Sequence, residues 1–446
     1  MNVCHKLKES LNNKSVRNSG WIIGQQIFQM LLQLIVGVLT ARYLGPANYG
    51  ALNYTASFVT FFVSITTLGM EGVVIKKLID HPDDEGLYLG SAMGLRFLAS
   101  MLSIVSVSLL VFVLNPSEPI KLTLVFLQSF QLSFKAIGIL DSWFQRHLKS
   151  KYVSIGKMLA CVVVSAYKVF LLVTAKSIVW FALSSSLTEC VIALVECYFY
   201  KRQRGQRLRF RLSVGSGILK ESYHFIISGL MVAIYSQMDR IMIGEMMTDV
   251  DVGLYTTATA VCGLWIFVPM ALISSFQPAV MELKRNGNDE RYLLRLKQLY
   301  SAVIWLCVIV SGGITLLAKP IIYILYGTQY LGAVGTLRIA IWSETFAMIG
   351  SVRGVWILCE KKNKYVKYYL MMGAAVNLVL NALLIPRAGI NGAAFATLVT
   401  QAVTSLLAPA LFKETRAHVP IVLDAALLGW YWRKNKSASK EEDHEP

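Results

Sequence analysis

The sequence is poor in the residues that catalysis, redox chemistry and metal binding usually need. Its seven cysteines, Cys4, Cys161, Cys190, Cys197, Cys262, Cys307 and Cys359, are odd in number and scattered through 446 residues. Most fall inside apolar segments with neither CxxC nor Cys/His spacing, so they read as reduced packing residues. Six equally dispersed histidines give no reason to expect a metal site. No phosphate-cradling glycine loop and no nucleophile elbow occurs, so neither ATP hydrolysis nor covalent catalysis is expected, and no cofactor. Charged residues make up only 15% of the chain.

What fills the chain instead is apolar: 55% of residues are hydrophobic and the mean hydropathy is +0.54. The apolar residues recur in blocks of roughly 20, the length that spans a bilayer, and are apolar nearly all round rather than along one stripe. The spacing predicts spans over 20–39, 52–70, 89–114, 121–142, 155–175, 178–200, 223–247, 253–280, 298–318, 331–358, 366–385 and 392–412. The basic start, with Lys6, Lys8, Lys14 and Arg17, superficially resembles a signal peptide. The run after it has no convincing small-residue cleavage site and is long for such a segment, so it is expected to stay as the first helix. Residues 421–432 are too short to span and are expected to form an interfacial segment anchored by Trp430 and Trp432.

The formal charge of +17 would ordinarily raise nucleic acid as a partner. Placement argues for topology instead. Nearly all loop Lys and Arg sit at the two ends and in alternate connections, whereas the opposite connections hold only Arg42, Lys121, Lys176, Lys319 and Arg387. Both termini are therefore expected in the cytoplasm, and nucleic acid is not an expected partner.

The most basic connection, 201–222, separates the spans into two sets of six. The expected organisation is an N-terminal bundle over 1–200, this basic cytoplasmic linker, a C-terminal bundle over 223–412 and a cytoplasmic tail over 413–446. An internal repeat is visible: Tyr49-Gly50-Ala51-Leu52 opens span two where Val252-Gly253-Leu254-Tyr255 opens span eight. Two six-helix halves of this kind imply parallel repeats about an axis along the membrane normal.

Polar residues form stripes inside the spans. Asn53, Ser57, Thr60, Ser64 and Thr67 share one face of span two, and Gln26, Gln29 and Gln33 lie along span one. In hydrocarbon these groups need partners, which leaves another helix or a water-filled cavity. Ionisable residues at depth are functional candidates. Arg96, Lys135, Lys168 and Arg240 lie deepest among the cations and face either a cavity or a structural ion pair. Glu189 and Glu196 share a face of span six and either carry coupling protons or pair with cations such as Lys168. Asp239 and Arg240 are neighbours about 100° apart on a helix, so each needs a partner elsewhere. Amides, hydroxyls and deep cations together suit a sugar-rich, anionic substrate.

Three segments carry a resemblance: ARYLGPANYG (Ala41 to Gly50), SQMDRIMIGEM (Ser236 to Met246) followed by VGLYTTATA, and LLIPRAGINGAAFAT (Leu383 to Thr397). In this order and placement the chain resembles the polysaccharide-exporter branch of the multidrug/oligosaccharidyl-lipid/polysaccharide (MOP) superfamily, the O-antigen flippases. The resemblance covers nearly the whole sequence. It implies an all-α membrane protein of the MATE-like kind, with about twelve transmembrane helices in two six-helix bundles around a central cavity. It further implies alternating access that moves an undecaprenyl-diphosphate-linked oligosaccharide from the cytoplasmic to the periplasmic leaflet of a bacterial inner membrane, coupled to an ion gradient. Asp239 and Arg240 match the DR of the family motif. The expected substrate cavity comprises Gln29, Gln33, Asn53, Thr60, Arg96, Lys135, Lys168 and Arg240, with Asp239, Glu189 and Glu196 as coupling or ion-pair groups. Expected partners are the lipid-linked oligosaccharide, membrane lipids and polysaccharide polymerase machinery. A drug/cation antiporter of the same fold would want buried carboxylates in span one, which has none. A polytopic polymerase or ligase would want a large outer loop, and the outer loops are short.

Overall fold

The computed structural model describes residues 14–429; Lys6, Lys8, Trp430 and Trp432 lie outside them. Among the described residues there is no strand. The first half comprises α1 (Lys14–Thr66), α2 (Glu71–Asp80), α3 (Glu85–Leu114), α4 (Pro119–Ile137), α5 (Leu140–Arg146), α6 (Ser150–Val173) and α7 (Ile178–Arg202). Then follow α8 (Leu212–Met246), α9 (Asp249–Gly263), α10 (Phe267–Arg285), α11 (Asp289–Tyr326), α12 (Ala333–Cys359) and α13 (Val366–Ala402). A π-helical turn (Val403–Leu407), α14 (Ala408–Leu411) and α15 (His418–Ala426) complete the order.

A straight helix of the 53 residues of α1 would be about 80 Å long, far more than a bilayer needs. Gly45 breaks it, with φ 72° and ψ 168°, a conformation that a side chain would disfavour, and Pro46 restarts the helix where its missing N–H is harmless. Contacts show that the chain reverses there. Gln29 donates to the Lys157 carbonyl (3.1 Å) and Tyr43 to the Lys176 carbonyl (3.1 Å), so the first arm runs alongside α6 in the same direction. Asn115 donates to Tyr54 Oη (2.8 Å) and Thr66 to Ser103 Oγ (3.3 Å), so the second arm runs against α3. Gly389, with φ 59°, interrupts α13 in the same way.

Nine segments among the described residues are long and apolar enough to cross a membrane. Two of them, Gly24–Asp80 and Asn363–Leu411, contain the glycine breaks; dividing these and adding α12, which carries Arg338, Glu344 and Arg353, provides a helical arm for each expected span. The outward faces are apolar, with Leu102 71% and Leu316 81% exposed. Such faces are stable only against lipid. One helix was unexpected: α2, read from the sequence as loop, buries Val73, Val74 and Leu78 and leaves its charges outward.

The chain divides into two compact units, Met1–Gly244 with Thr248–Gly253, and Glu245–Met247 with Leu254–Pro446. The basic connection 201–222 lies wholly within the first, so the change of unit comes later than the linker. The cause is a row of glycines. Gly86, Gly90 and Gly94 recur at i, i+4 and i+8 on α3, and a Cβ on each would stand 2.4 Å from Arg207 O, Arg209 O and the Phe210 ring respectively. The strand-like stretch 206–211 fills the space they leave, with Arg209 N–H donating to Gly86 O (3.0 Å) and Arg211 N–H to Ser91 Oγ (3.0 Å). Lys77 and Glu221, 2.5 Å apart, tie α8 to the same unit.

A second close approach in this unit involves Gly50 and Gly253. A Cβ on Gly50 would stand 1.6 Å from the Asp249 carbonyl oxygen, and one on Gly253 would stand 2.1 Å from the Pro46 carbonyl oxygen. Beside them Lys121, 3% exposed, reaches Asp249 (3.1 Å), Glu118 (3.0 Å) and Asn115 (3.3 Å).

In the second unit the apolar core gathers Tyr292, Leu296, Tyr300, Val303, Val352, Trp356 and Tyr369. The expected interfacial segment begins earlier than the sequence indicated, as α15, and its Val422 and Ala425 pack into this core. Ser301 donates to the Ala425 carbonyl (2.7 Å) and Lys297 pairs with Asp424 (2.8 Å). His418 is fully buried against Tyr300 Oη (2.7 Å), and burial, aided by the charge of Arg353, pushes its imidazole down from 6.5 to about 3. The folded chain therefore holds this histidine neutral while the unfolded chain protonates it below about pH 6.5, so stability falls as pH drops from 6.5 towards 3. Thermal unfolding in detergent at pH 7.5 and 5.5 should show a smaller acid-induced drop for His418→Asn than for the wild type; an equal drop would assign the acid sensitivity to other groups.

Candidate functional site

The sequence-predicted polar residues separate into five places. The richest lies among α4, α5, α6, α7 and the first arm of α1. Lys135 Nζ sits 2.8 Å from Glu189 Oε1, and Lys157 Nζ sits 3.6 Å from Asp141 Oδ2. Glu196 is 2% exposed, its Oε2 has no hydrogen-bond partner among the described residues, and the charges of Asp141, Lys157, Glu189 and Lys135 all act on it. Gln25 donates to Gln29, and Gln29 in turn to the Lys157 carbonyl, so the glutamine face of α1 closes one side of this cluster. By chain position the cluster falls between two apolar layers of the same unit. One contains Leu44, Leu124, Leu171 and Phe181, the other Met70, Leu89, Trp143 and Tyr200. Gln33, further along, is exposed.

The donors of the α1 hydroxyl stripe are met within their own helix. Ser57 donates to Asn53 O (2.8 Å), Thr60 to Ala56 O (2.8 Å), and the Asn53 amide to Tyr49 O (2.7 Å), all one turn back along the same helix. Such back-bonding satisfies the donors without a second helix or water. Their acceptor lone pairs and the exposed Thr60 remain available to a polar ligand.

Arg96 stands apart from the cluster. It is 1% exposed on α3, its Nε donates to the Thr67 carbonyl (2.9 Å), and Nη2 reaches Glu71 Oε1 (3.4 Å). The guanidinium thus ties the turn between α1 and α2. Lys168, on α6, is half-buried and has no ion-pair partner among the described residues. Asp239 is 7% exposed and Arg240 half-buried on α8, with Arg240 Nη1 3.3 Å from Gln237 Oε1 and its charge acting on Tyr49 of α1.

Residues 15–281 match the family described as polysaccharide biosynthesis protein. The chain belongs to that family. A curated relative, the probable low-salt glycan biosynthesis flippase Agl15 of Haloferax volcanii, is 24% identical over 186 residues, 42% of this chain and 39% of its own length. The chain thus matches about two fifths of that relative. The fold is shared with the lipid II flippase MurJ in an inward closed conformation, at a TM-score of 0.72 and 15% identity over 90% of both chains. It is also shared with an inward-facing multidrug resistance MATE transporter of the MOP superfamily, at 0.61 and 14% identity over 95% of this chain and 100% of that one. This polysaccharide biosynthesis family member therefore has the MATE-like, multi-pass membrane fold that the sequence implied.

Several polar groups were not singled out as site residues from its sequence. Gln128 is 2% exposed, donates to Leu52 O (3.0 Å), and keeps an Oε1 without a hydrogen-bond partner among the described residues. Lys121 was counted as an outer-loop charge, yet it is buried over the Tyr54 ring at 4.8 Å. In the second unit Asn377 and Asn381 are fully buried one turn apart on α13, with Asn381 Nδ2 3.2 Å from Asn377 Oδ1 and Asn377 Nδ2 3.4 Å from Thr397 Oγ1. The i, i+4 asparagine pair inside an apolar run was the available signal.

Proposed function

We propose that the protein is a transporter, not an enzyme, that flips an undecaprenyl-diphosphate-linked oligosaccharide, such as an O-antigen repeat unit, between the leaflets of a bacterial inner membrane. The single observation that carries the reading is the fold shared over nine tenths of both chains with a lipid II flippase, in a chain of the polysaccharide biosynthesis family. The probable glycan flippase among its relatives supports the same substrate class. In this reading both termini are cytoplasmic, the two halves alternate around a central cavity, and the glycan passes on to polymerase machinery at the outer leaflet.

Lys168 and Glu196 are the groups to which this reading gives the clearest work. An ammonium in a membrane span without a carboxylate is costly unless water or an anion meets it, so Lys168 contacts the diphosphate or acidic sugars. A buried carboxylate with an open oxygen among two cations and two further carboxylates is placed to take up and release a coupling proton, so Glu196 links transport to the gradient. In a strain deleted for the gene, lipid-linked repeat units should accumulate on the cytoplasmic face. Restoring the gene as Lys168→Gln should cut surface-glycan export about tenfold, the worth of one charge-assisted contact, with membrane insertion unchanged. Glu196→Gln should export at a rate that no longer responds to collapse of the proton gradient. Wild-type export and gradient response in these variants would remove the two residues from the mechanism, and unaltered lipid-linked units in the deletion strain would remove the function.

A further inference from the structure

In the second unit, α10 and the end of α12 enclose a groove of about 1100 Å³. Ser274, Met281 and Arg285 line it from α10, at i, i+7 and i+11, and so share one face of that helix. Leu358 and Lys361 line it from the other side. Both helices end here in basic connections that the sequence assigns to the cytoplasmic face, so the groove opens where hydrocarbon gives way to water.

Its charges are unequally committed. Lys284 is held by Asp289 (3.0 Å) and Glu360 (3.1 Å) and lies over the Tyr292 ring at 4.9 Å. Arg285 and Lys361 are exposed and have no ion-pair partner among the described residues; the carboxylate lining the groove is Glu282. Lys361 adopts a left-handed helix-ending conformation, as Leu148, Ala175 and Arg204 do elsewhere in the chain. It closes α12 with φ +55°, while Lys362 N–H donates back to Ile357 O (2.9 Å) and Lys361 N–H to Leu358 O (3.2 Å). This is the helix-ending position that glycine fills most cheaply, because a Cβ is disfavoured at that φ. A lysine there sacrifices backbone stability and places a cation at the mouth of the groove.

We propose that this groove binds the phosphate headgroup of an amphiphile, with Arg285 and Lys361 as the donors and the Met281 and Leu358 walls taking the first carbons of its tail. The chemistry fits two sources, the diphosphate of the substrate and the phosphate of bulk anionic lipid; assigning it to substrate loading rests on the flippase reading above. The test uses the full-length protein in phosphatidylcholine nanodiscs, titrated with undecaprenyl diphosphate and separately with phosphatidylglycerol. Arg285→Gln and Lys361→Gly should each weaken undecaprenyl diphosphate about tenfold. Lys361→Gly should do so with an unchanged or higher thermal midpoint, which a merely structural lysine would not show. A loss confined to the diphosphate marks a loading site, and a loss shared with or confined to phosphatidylglycerol marks a general lipid-phosphate site; each upholds phosphate recognition. Unchanged affinity for both lipids in the double variant overturns the proposal. A wild-type protein that binds the diphosphate here but never transports it would sink the flippase reading and leave the groove standing.

Discussion

Replacing Arg96 by alanine is expected to remove folded protein from the membrane, not merely to slow transport. The side chain is 1% exposed, and its loss would leave a cavity and remove the stronger of two hydrogen bonds to the Thr67 carbonyl, the one at 2.9 Å, with only the Met70 N–H at 3.3 Å remaining. Glu71, its carboxylate partner at 3.4 Å, is 65% exposed, so the ion pair itself adds little. The cavity and the lost hydrogen bond together amount to about 2–4 kcal/mol, a large share of the stability of most folded chains. Arg96→Lys keeps a charge but not the fork that reaches both acceptors, and should recover only part of the loss. Membrane abundance and the thermal midpoint in detergent measure this directly. Arg96→Ala that folds and melts like the wild type yet exports nothing would make this residue a substrate ligand instead of a strut.

Gly50→Ala should produce the other large effect. The clash is with backbone, a Cβ at 1.6 Å from the Asp249 carbonyl oxygen, and no side-chain rotation relieves it. The stretch 248–253 must move off α1, which also opens the 3.1 Å pair between Lys121 and Asp249. Overpacking of this kind costs about 1–3 kcal/mol when neighbours can yield, and here the neighbours are helical main chain. Gly253→Ala, meeting the Pro46 carbonyl, should behave alike. Gly217→Ala is the control, because that glycine has nothing within 4 Å of its would-be Cβ and sits within α8, where alanine favours the helix. Equal midpoints for Gly50→Ala and Gly217→Ala would show that the approach is not a constraint.

Much of this architecture was legible because lipid imposes a simple rule on sequence: runs of apolar residues long enough to cross, with basic residues gathered in alternate connections. The motif glycines were visible too, and Gly45 and Gly389 turn out to be the two breaks inside long helices. What stayed hidden depended on which neighbours meet. Glu189 was expected to choose among cations such as Lys168, and it pairs with Lys135 on α4. Nothing in the spacing along one helix ranks cations on two others. The donors of the hydroxyl stripe are met by carbonyls one turn back in the same helix, a pairing that the spacing of polar residues does not distinguish from an external partner. Within the first turns of α3, glycines at every fourth position mark a face that another backbone approaches closely. Hydropathy alone made 206–211 look like free linker.

That strap of basic backbone against α3 bears on how the protein should be handled in the laboratory. Reporter fusions, epitope tags and protease sites are customarily placed in the longest hydrophilic connection of a polytopic chain. Here such an insertion would wedge apart a main-chain hydrogen bond at 3.0 Å and three glycine contacts, and would report on a damaged molecule. Gly287 is exposed with open space around it, but an insertion there would have to spare the Asn288 cap on Arg291 N–H (3.2 Å) and the Lys284–Asp289 pair (3.0 Å) that span the same turn.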